Sequence, residues 1–289
     1  MTSEELLQQV RKIGIKTRGL SRNIFAGEYH SQFKGRGMAF SEVREYQPGD
    51  EVRAIDWHVT ARLNKPYIKV FEEERELMVM LLVDVSGSRH FGTRSRFKRD
   101  MIAEVAATLA FSTIENNDKV GVLFFSDRIE KFIPAKKGKS HVLHIIRELL
   151  SFEPQSRGTN VAKALEYFSN AQKRRCTAFL ISDLVDADSA AMEQPLMIAS
   201  NRHDMNVIQV YDPRDAELPD MGLVRLLDAE NGRTLWTDTS DKNLRSSYAE
   251  AWNSNQTALT TLFTRTATNA VSVRTDEDYV KALMRLFKM

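Results

Sequence analysis

The stretch Leu77-Met78-Val79-Met80-Leu81-Leu82-Val83-Asp84-Val85-Ser86-Gly87-Ser88 decides how the rest of the chain is read. An unbroken apolar run from Leu77 to Val83 describes a strand buried on both faces, because a strand with one wet face alternates apolar and polar residues. Strands of that kind belong to parallel sheets covered by helices. In such sheets ligands bind beyond the carboxyl ends of the strands, where neighbouring crossovers leave toward opposite faces. Asp84, Ser86 and Ser88 stand at that end of this strand, and each offers an oxygen.

Working outward, the pattern repeats. A helix is expected from Phe97 to Asn116, a strand from Lys119 to Phe125 and a short edge strand from Ile129 to Pro134. Helices around Ser140 to Leu150 and Val161 to Gln172 follow, then a strand from Thr177 to Ser182, a helix from Ala190 to Asn201 and a strand from Met205 to Tyr211. A helix from Asp241 to Phe263, a strand from Ala270 to Arg274 and a helix from Glu277 to Phe287 close the series. This alternation predicts an α/β fold, a doubly wound, mostly parallel sheet with helices on both faces. The runs Leu223 to Leu227 and Thr234 to Thr237 flank Asn231-Gly232, a two-residue hairpin signal, and predict an inserted β-hairpin over about 214–239.

Upstream the texture differs. Leu6, Leu7, Val10 and Ile13 have helical spacing and predict a short amphipathic helix within Glu4 to Leu20. From Asn23 to Glu76 turn signals at Gly35, Gly37, Pro48-Gly49-Asp50 and Asn64-Lys65-Pro66 separate short aromatic or β-branched runs, the mark of an irregular β-rich subdomain. The expected organisation is therefore residues 1–75 as a helix plus β-rich subdomain and 76–289 as the α/β domain.

Composition narrows the function classes. With 42% hydrophobic residues in 289, the chain can bury a large core. The 41 lysines and arginines against 39 acidic residues leave a net charge of +2, which gives no overall pull toward nucleic acid or membrane. A lone cysteine, Cys176, rules out an internal disulfide, fits a reducing compartment and reads as a buried thiol. No signal-like apolar core opens the chain, and the run from Leu77 to Val83 is far below the roughly 20 residues of a membrane span. A cytoplasmic protein without direct membrane insertion is expected.

Two further segments place oxygens at strand ends. Gly158-Thr159-Asn160 precedes a helix, where Thr159 either caps that helix or turns its hydroxyl to a ligand. Ser182-Asp183-Leu184 ends the strand expected beside the first, where Asp183 is a turn residue, a cap or a ligand.

Taken together, Asp84, Ser86, Ser88, Thr159 and Asp183 resemble the metal-ion-dependent adhesion site of von Willebrand factor type A domains, with its Asp-x-Ser-x-Ser motif, later threonine and later aspartate. The resemblance spans about Arg75 to Met289 and implies a six-stranded, mostly parallel sheet. It also implies a bound divalent ion whose shell is completed by a partner's Asp or Glu. Hydroxyls and carboxylates are hard donors that suit Mg2+, with Mn2+ or Ca2+ as alternatives, rather than zinc or copper. The loop departs from the pattern in carrying Arg157 before Gly158. Arg89, Arg94, Arg96, Lys98 and Arg99 lie next to the first motif and read either as a basic cluster that steers an acidic partner or as a solvated helix face. Asp228 and Glu230, near the hairpin turn, are expected to choose among partners by repulsion.

The strings Phe33-Lys34-Gly35-Arg36-Gly37, Arg44-Glu45-Tyr46-Gln47-Pro48-Gly49-Asp50, Arg53-Ala54-Ile55-Asp56-Trp57, Ala61-Arg62 and Phe71-Glu72-Glu73-Glu74 are similar to those that precede the A-type domain in the bacterial domain of unknown function 58 family. That resemblance implies a MoxR-type AAA+ ATPase as partner. Read structurally, Asp50 caps a short helical turn, Arg53 or Arg62 pairs with Asp56, and Trp57 supplies buried area. The reading that follows is a non-enzymatic, metal-dependent interaction module. The competing class is a metal-dependent phosphatase-like enzyme in which Asp84 attacks phosphorus. Ser86 stands where haloacid-dehalogenase-like enzymes need a second aspartate. Gly138-Lys139-Ser140 lacks the earlier glycine of a nucleotide loop, because Ile133 stands there.

Overall fold

The computed structural model describes residues 39–72, 77–92, 96–185, 187–230 and 232–287. The chain divides into two compact units, Phe33–Leu77 and the chain from Met78 onward. The helix expected within Glu4 to Leu20, the Phe33 to Gly37 string and Glu73-Glu74 lie outside the described residues.

In the smaller unit, β1 (Ala39–Glu45) pairs antiparallel with β2 (Tyr67–Glu72), with a register shift between Phe40 and Glu42. The turn at Pro48-Gly49-Asp50 is closed by an ion pair: Arg44 donates from both terminal nitrogens to Asp50, at 2.8 and 2.7 Å, and the Gln47 amide donates to the same carboxylate at 2.7 Å. The Arg44 guanidinium holds the Asp50 carboxyl below the usual range. Capping falls to Asp56 instead, whose Oδ1 accepts from the amides of His58 and Val59 at the start of α1 (Trp57–Leu63). The expectation for Trp57 needs correcting, since at the first helical position the residue is 67% exposed.

The larger unit is the expected doubly wound α/β sheet. Its strands are β3 (Met78–Asp84), β4 (Lys119–Phe125), β5 (Ile129–Lys136), β6 (Thr177–Ser182), β7 (Asp204–Tyr211) and, after a hairpin, β10 (Asn269–Arg274). They lie in the order β10-β7-β6-β3-β4-β5, with five strands parallel and β5 antiparallel at one edge. Helices α2 (Lys98–Glu115), α3 (Lys139–Ser151), α4 (Val161–Ala171), α5 (Ser189–Arg202), the single turn α6 (Pro213–Ala216), α7 (Lys242–Arg265) and α8 (Tyr279–Leu286) connect and cover it.

The two-residue period of the strands divides their side chains between two cores. Met80, Leu82, Leu123, Phe125, Ala178, Leu180, Met205 and Val207 pack with Leu165 and Phe168 of α4, Leu196 of α5 and Leu259 of α7. The alternate residues serve the other face, where Phe179 of β6 meets Phe287 edge-on at 6.0 Å and Thr108 of α2 shares a hydrogen bond with Tyr279 of α8. All of Leu81, Val122, Phe179 and Val207 are at most 1% exposed, which is why β3, β4, β6 and β7 read as continuous apolar runs. Cys176 lies within the first core, 3.4 Å from Nδ1 of His203, and burial pushes its thiol up to about 12. That thiol is a packing residue.

From β3 the chain moves outward through β4 to β5, then returns to the other side of β3 and runs outward through β6, β7 and β10. The reversal lies between β3 and β6. Asp84 ends the one strand and Asp183 directly follows the other.

The inserted hairpin is β8 (Leu223–Leu227) against β9 (Thr234–Asp238). Its turn is wider than the two residues expected. The ladder ends at Leu227 opposite Thr234, the Asp228 amide donates to the Arg233 carbonyl at 2.8 Å, and a four-residue tip, 229–232, remains. Asp228 sets this geometry by accepting the Glu230 amide on Oδ1 at 2.9 Å, while its carbonyl accepts the Gly232 amide at 2.9 Å. Gly232 supplies the positive φ, +71°, and Asn231 lies outside the described residues.

Candidate metal centre

The Asp84 side chain is 3% exposed and is fixed on both oxygens: Oδ1 accepts the Ser86 amide at 2.9 Å and Oδ2 accepts the Ser182 hydroxyl at 2.6 Å. With one hydrogen bond on each oxygen the carboxylate is fixed in orientation and keeps a lone pair on each. Ser86 is 1% exposed, and its hydroxyl lies 3.0 Å from that of Ser88. Between them Gly87 opens the turn Gly87–His90, and its amide donates to the Arg157 carbonyl at 2.8 Å. Arg157 thus takes part through its backbone, and the segment leading to Gly158-Thr159 lies alongside the first motif.

Asp183 is 5% exposed. Its backbone carbonyl accepts from Gln209 Nε2 on β7 at 3.1 Å, and the next residue, Leu184, has φ +53°. A leucine in the left-handed region carries strain that its surroundings must hold. Asn255 of α7 does so, donating to the carbonyls of Leu184 and Val185 at 3.0 and 3.1 Å.

The main departure from the sequence reading concerns the basic cluster. Lys98 is 1% exposed, and its ammonium lies 2.8 Å from Asp183 Oδ2 and 3.0 Å from Asp215 Oδ2. Burial opposes its charge, yet Asp183 and Asp215 hold its pKa above the ordinary lysine value. Asp215 is set by a capping box with Asp212 on α6, and burial raises its carboxyl against the opposing pull of Lys98. Arg89 is also buried, at 5% exposure, where it donates from Nη2 to the Phe152 carbonyl at 2.8 Å. Burial, with Arg99 nearby, lowers its guanidinium to about 10. Neither Arg89 nor Lys98 lies on a rim that could steer a partner. Arg96 is exposed and pairs with Glu104 at 3.0 Å, and Arg94 lies outside the described residues.

Thr159 faces the hairpin, its hydroxyl donating to Glu230 Oε1 at 2.6 Å. The helix-cap alternative for Thr159 goes to its neighbour, since Asn160 Oδ1 accepts the Lys163 amide at 2.9 Å.

The donor chemistry fits a hard divalent ion. Among the described residues no group of three or more His, Cys, Asp or Glu side chains converges as a metal-ligating cluster. The set is richer in hydroxyls, with two carboxylates and three alcohols, and magnesium is often held by one or two carboxylates with water completing its shell. The Ser86 and Ser88 hydroxyls share a hydrogen bond at 3.0 Å, so the two oxygens lie together at the end of β3.

Electrostatics point the same way. Burial, with the Asp183 charge second, raises Asp84 to about 6, and a cation beside it would favour the ionised form. A carboxyl raised in the folded state contributes stability that is fully present below its unfolded value, ~3.9, and is lost as pH rises through the folded one. In chelator, Asp84→Asn is therefore expected to raise the thermal midpoint at pH 7.5 by several degrees. The gain should shrink as pH falls from 6 toward 4. Thermal melts at both ends of that range check it, and a lower midpoint for the variant at pH 7.5 counts against the assignment.

A doubly wound α/β sheet with hard oxygens at the ends of the two strands beside its reversal point follows the small β-rich unit along the chain. The chain belongs to the family described as Protein of unknown function DUF58, whose model matches residues 42–258. It is 30% identical over 283 residues to the uncharacterized protein Rv1480 of Mycobacterium tuberculosis, covering 97% of this chain and 88% of that one. Among solved structures, the conserved hypothetical protein BatB from Bacteroides thetaiotaomicron is similar at TM-score 0.47 and 17% identity, covering 73% of this chain and 97% of that one. A von Willebrand factor type A structure from Catenulispora acidiphila is similar at TM-score 0.42 and 11% identity, over 77% and 43% of the respective chains. Among the described residues no helix is long and apolar enough to cross a membrane.

Proposed function

We propose that this protein is a non-enzymatic interaction module of the cytoplasm that binds Mg2+ through Asp84, Ser86, Ser88, Thr159 and Asp183 and uses the ion to hold an acidic side chain of a partner. The observation that carries the reading is the buried Asp84, whose two oxygens are fixed by Ser86 and Ser182 and whose charge is opposed by Asp183 beside it. A divalent cation beside Asp84 would favour its ionised form against burial and the Asp183 charge. With two carboxylates and three hydroxyls in the shell the centre is neutral overall, and the ion would still offer an open coordination position to a carboxylate from outside.

The partner class comes from the family resemblance: a MoxR-type AAA+ ATPase, with this chain as the adaptor that couples its motion to a client. Capture of such an ATPase from cell extract by the tagged protein tests the pairing. Recovery in millimolar magnesium that is lost in chelator is the expected result. Equal recovery in chelator refutes the metal-bridged mechanism, and phosphate release from generic phosphoesters that disappears in Asp84→Asn would favour the enzyme instead.

A further inference from the structure

The inserted hairpin is a sheet of two strands, and among the described residues no third strand joins β8 and β9. A sheet of that size is marginal in water by itself, and this one is held at both ends. At its tip Glu230 accepts the Thr159 hydroxyl at 2.6 Å and Asp228 accepts the Glu230 amide at 2.9 Å. At its base the Met221 amide donates to Thr239 Oγ1, and the Thr239 amide to the Gly222 carbonyl, each at 2.8 Å. These anchors set the hairpin in place but leave its apolar side chains in water: Leu223, Leu227, Leu235 and Trp236 are each between 65% and 67% exposed. Single exposed apolar residues are ordinary, whereas four among ten strand residues form a patch.

The bonds that bracket the ladder, Thr239 amide to Gly222 carbonyl and Asp228 amide to Arg233 carbonyl, fix its alternation. On β9 the backbone N–H and C=O groups of Thr234, Trp236 and Asp238 therefore point away from β8, and on β8 those of Leu223, Arg225 and Leu227 point away from β9. From this geometry we propose that a second copy of the chain pairs with the β9 edge, antiparallel about a two-fold axis at Trp236, to make a four-stranded sheet in the order β8-β9-β9-β8. The inference goes beyond the metal reading and does not require it. Register and charge select the edge. About that axis each Trp236 faces its counterpart, Thr234 faces Asp238 and Leu235 faces Thr237, so two rings cover each other and no like charges oppose. Asp238 Oδ1 already accepts the Ser240 amide at 2.9 Å, which leaves its second oxygen for the Thr234 hydroxyl of the other copy. The same operation on β8 sets Arg225 against Arg225, and a charge at the middle of a strand is a usual guard on an open edge. From Thr234 to Thr237, β9 has no charge, proline or bulge to guard it. Two such five-residue strands bury about 1,000 Å² in total, the low end of specific interfaces, so the association is weak and reversible.

Sedimentation velocity of the full chain tests this. The weight-average mass is expected to double between about 1 and about 200 µM, the range in which so small an interface assembles, in chelator and in magnesium alike. Trp236→Lys sets lysine against lysine at the axis and should hold the chain monomeric throughout, while Leu227→Lys, on the strand away from the axis, should dimerise as wild type does. Crosslinking gives a second reading. Residues that face each other in a hydrogen-bonded antiparallel pair have Cα atoms about 5.5 Å apart, within disulfide reach. The native Cys176 is buried and does not compete. Under mild oxidant Trp236→Cys should form a disulfide-linked dimer, and Arg225→Cys, on the guarded edge, should not. A wild type that stays monomeric, a Trp236→Lys variant that still dimerises, or crosslinking as fast through Arg225→Cys overturns the inference. So does a Leu227→Lys variant as monomeric as Trp236→Lys, which would mean that the apolar face rather than the edge is what is covered. Dimers confined to magnesium would point to a bridge through the ion, and they too would overturn pairing at β9.

Discussion

Lys98→Met should unfold in chelator far below the wild-type temperature and become strongly dependent on magnesium for its stability. The ammonium of Lys98 is the nearest positive charge to Asp183 and Asp215, with side chains 2%, 7% and 10% exposed in that order. Removing one partner from a buried ion pair leaves the other charge unpaired in a medium that solvates it poorly, which typically costs about 3–5 kcal/mol. In a protein whose whole stability is of order 5–15 kcal/mol, that is a large share. Methionine fills much the same volume, so the loss reads charge rather than packing. Added magnesium should recover part of it, because the stranded Asp183 would then serve the ion alone. Melting curves with and without magnesium measure both effects, and a variant as stable as wild type in chelator would show that Lys98 is not the counter-ion the geometry makes it.

The second large effect concerns the partner. Replacing Ser86 and Ser88 together by alanine removes two hydroxyl oxygens that lie 3.0 Å apart while leaving Asp84, Asp183 and Lys98 in place. Partner binding should fall by at least as much as it does on chelation. Stranding a buried carboxylate at an interface typically costs 2–5 kcal/mol, or about 30-fold to several thousand-fold in affinity. Arg96→Ala, by contrast, alters an exposed pair with Glu104 and should change little beyond the association rate. Equal affinities of wild type and the double alanine variant for the captured ATPase would contradict a bridge through the ion.

The central sheet was legible because β3, β4, β6 and β7 are buried on both faces, so their composition alone marks them, and Asp84 and Asp183 stand where those runs stop. What surrounds the two aspartates was harder to read. Lys98 and Arg89 belong to a run of basic residues that in sequence is indistinguishable from a wet helix face. Only the fold brings Asp215 and the Phe152 carbonyl, more than 60 positions away in each case, to meet them. Ser182 sits next to a predicted ligand, but its role as a donor to Asp84 depends on β3 and β6 being neighbours. Asp215 did carry a local signal, since Asp212-Pro213-Arg214-Asp215 after a strand is a capping pattern, yet that signal says nothing of a pairing with Lys98. The hairpin was found from its turn residues, while the width of its tip depends on Asp228 bonding its own loop, a choice that Asn231-Gly232 concealed. In the small unit, Arg44 took Asp50 from the capping role, and Asp56 filled it.

Everything functional here hangs on a divalent ion being held between β3 and β6. The most direct measurement is titration calorimetry of Mg2+ and Mn2+ into chelator-treated protein, wild type against the Asp84→Ala, Asp183→Ala double variant, with circular dichroism to establish that both are folded. Saturable binding of one ion per chain to wild type, and none to the folded double variant, is the predicted result; equal binding by the two proteins, or none by wild type, would contradict the account.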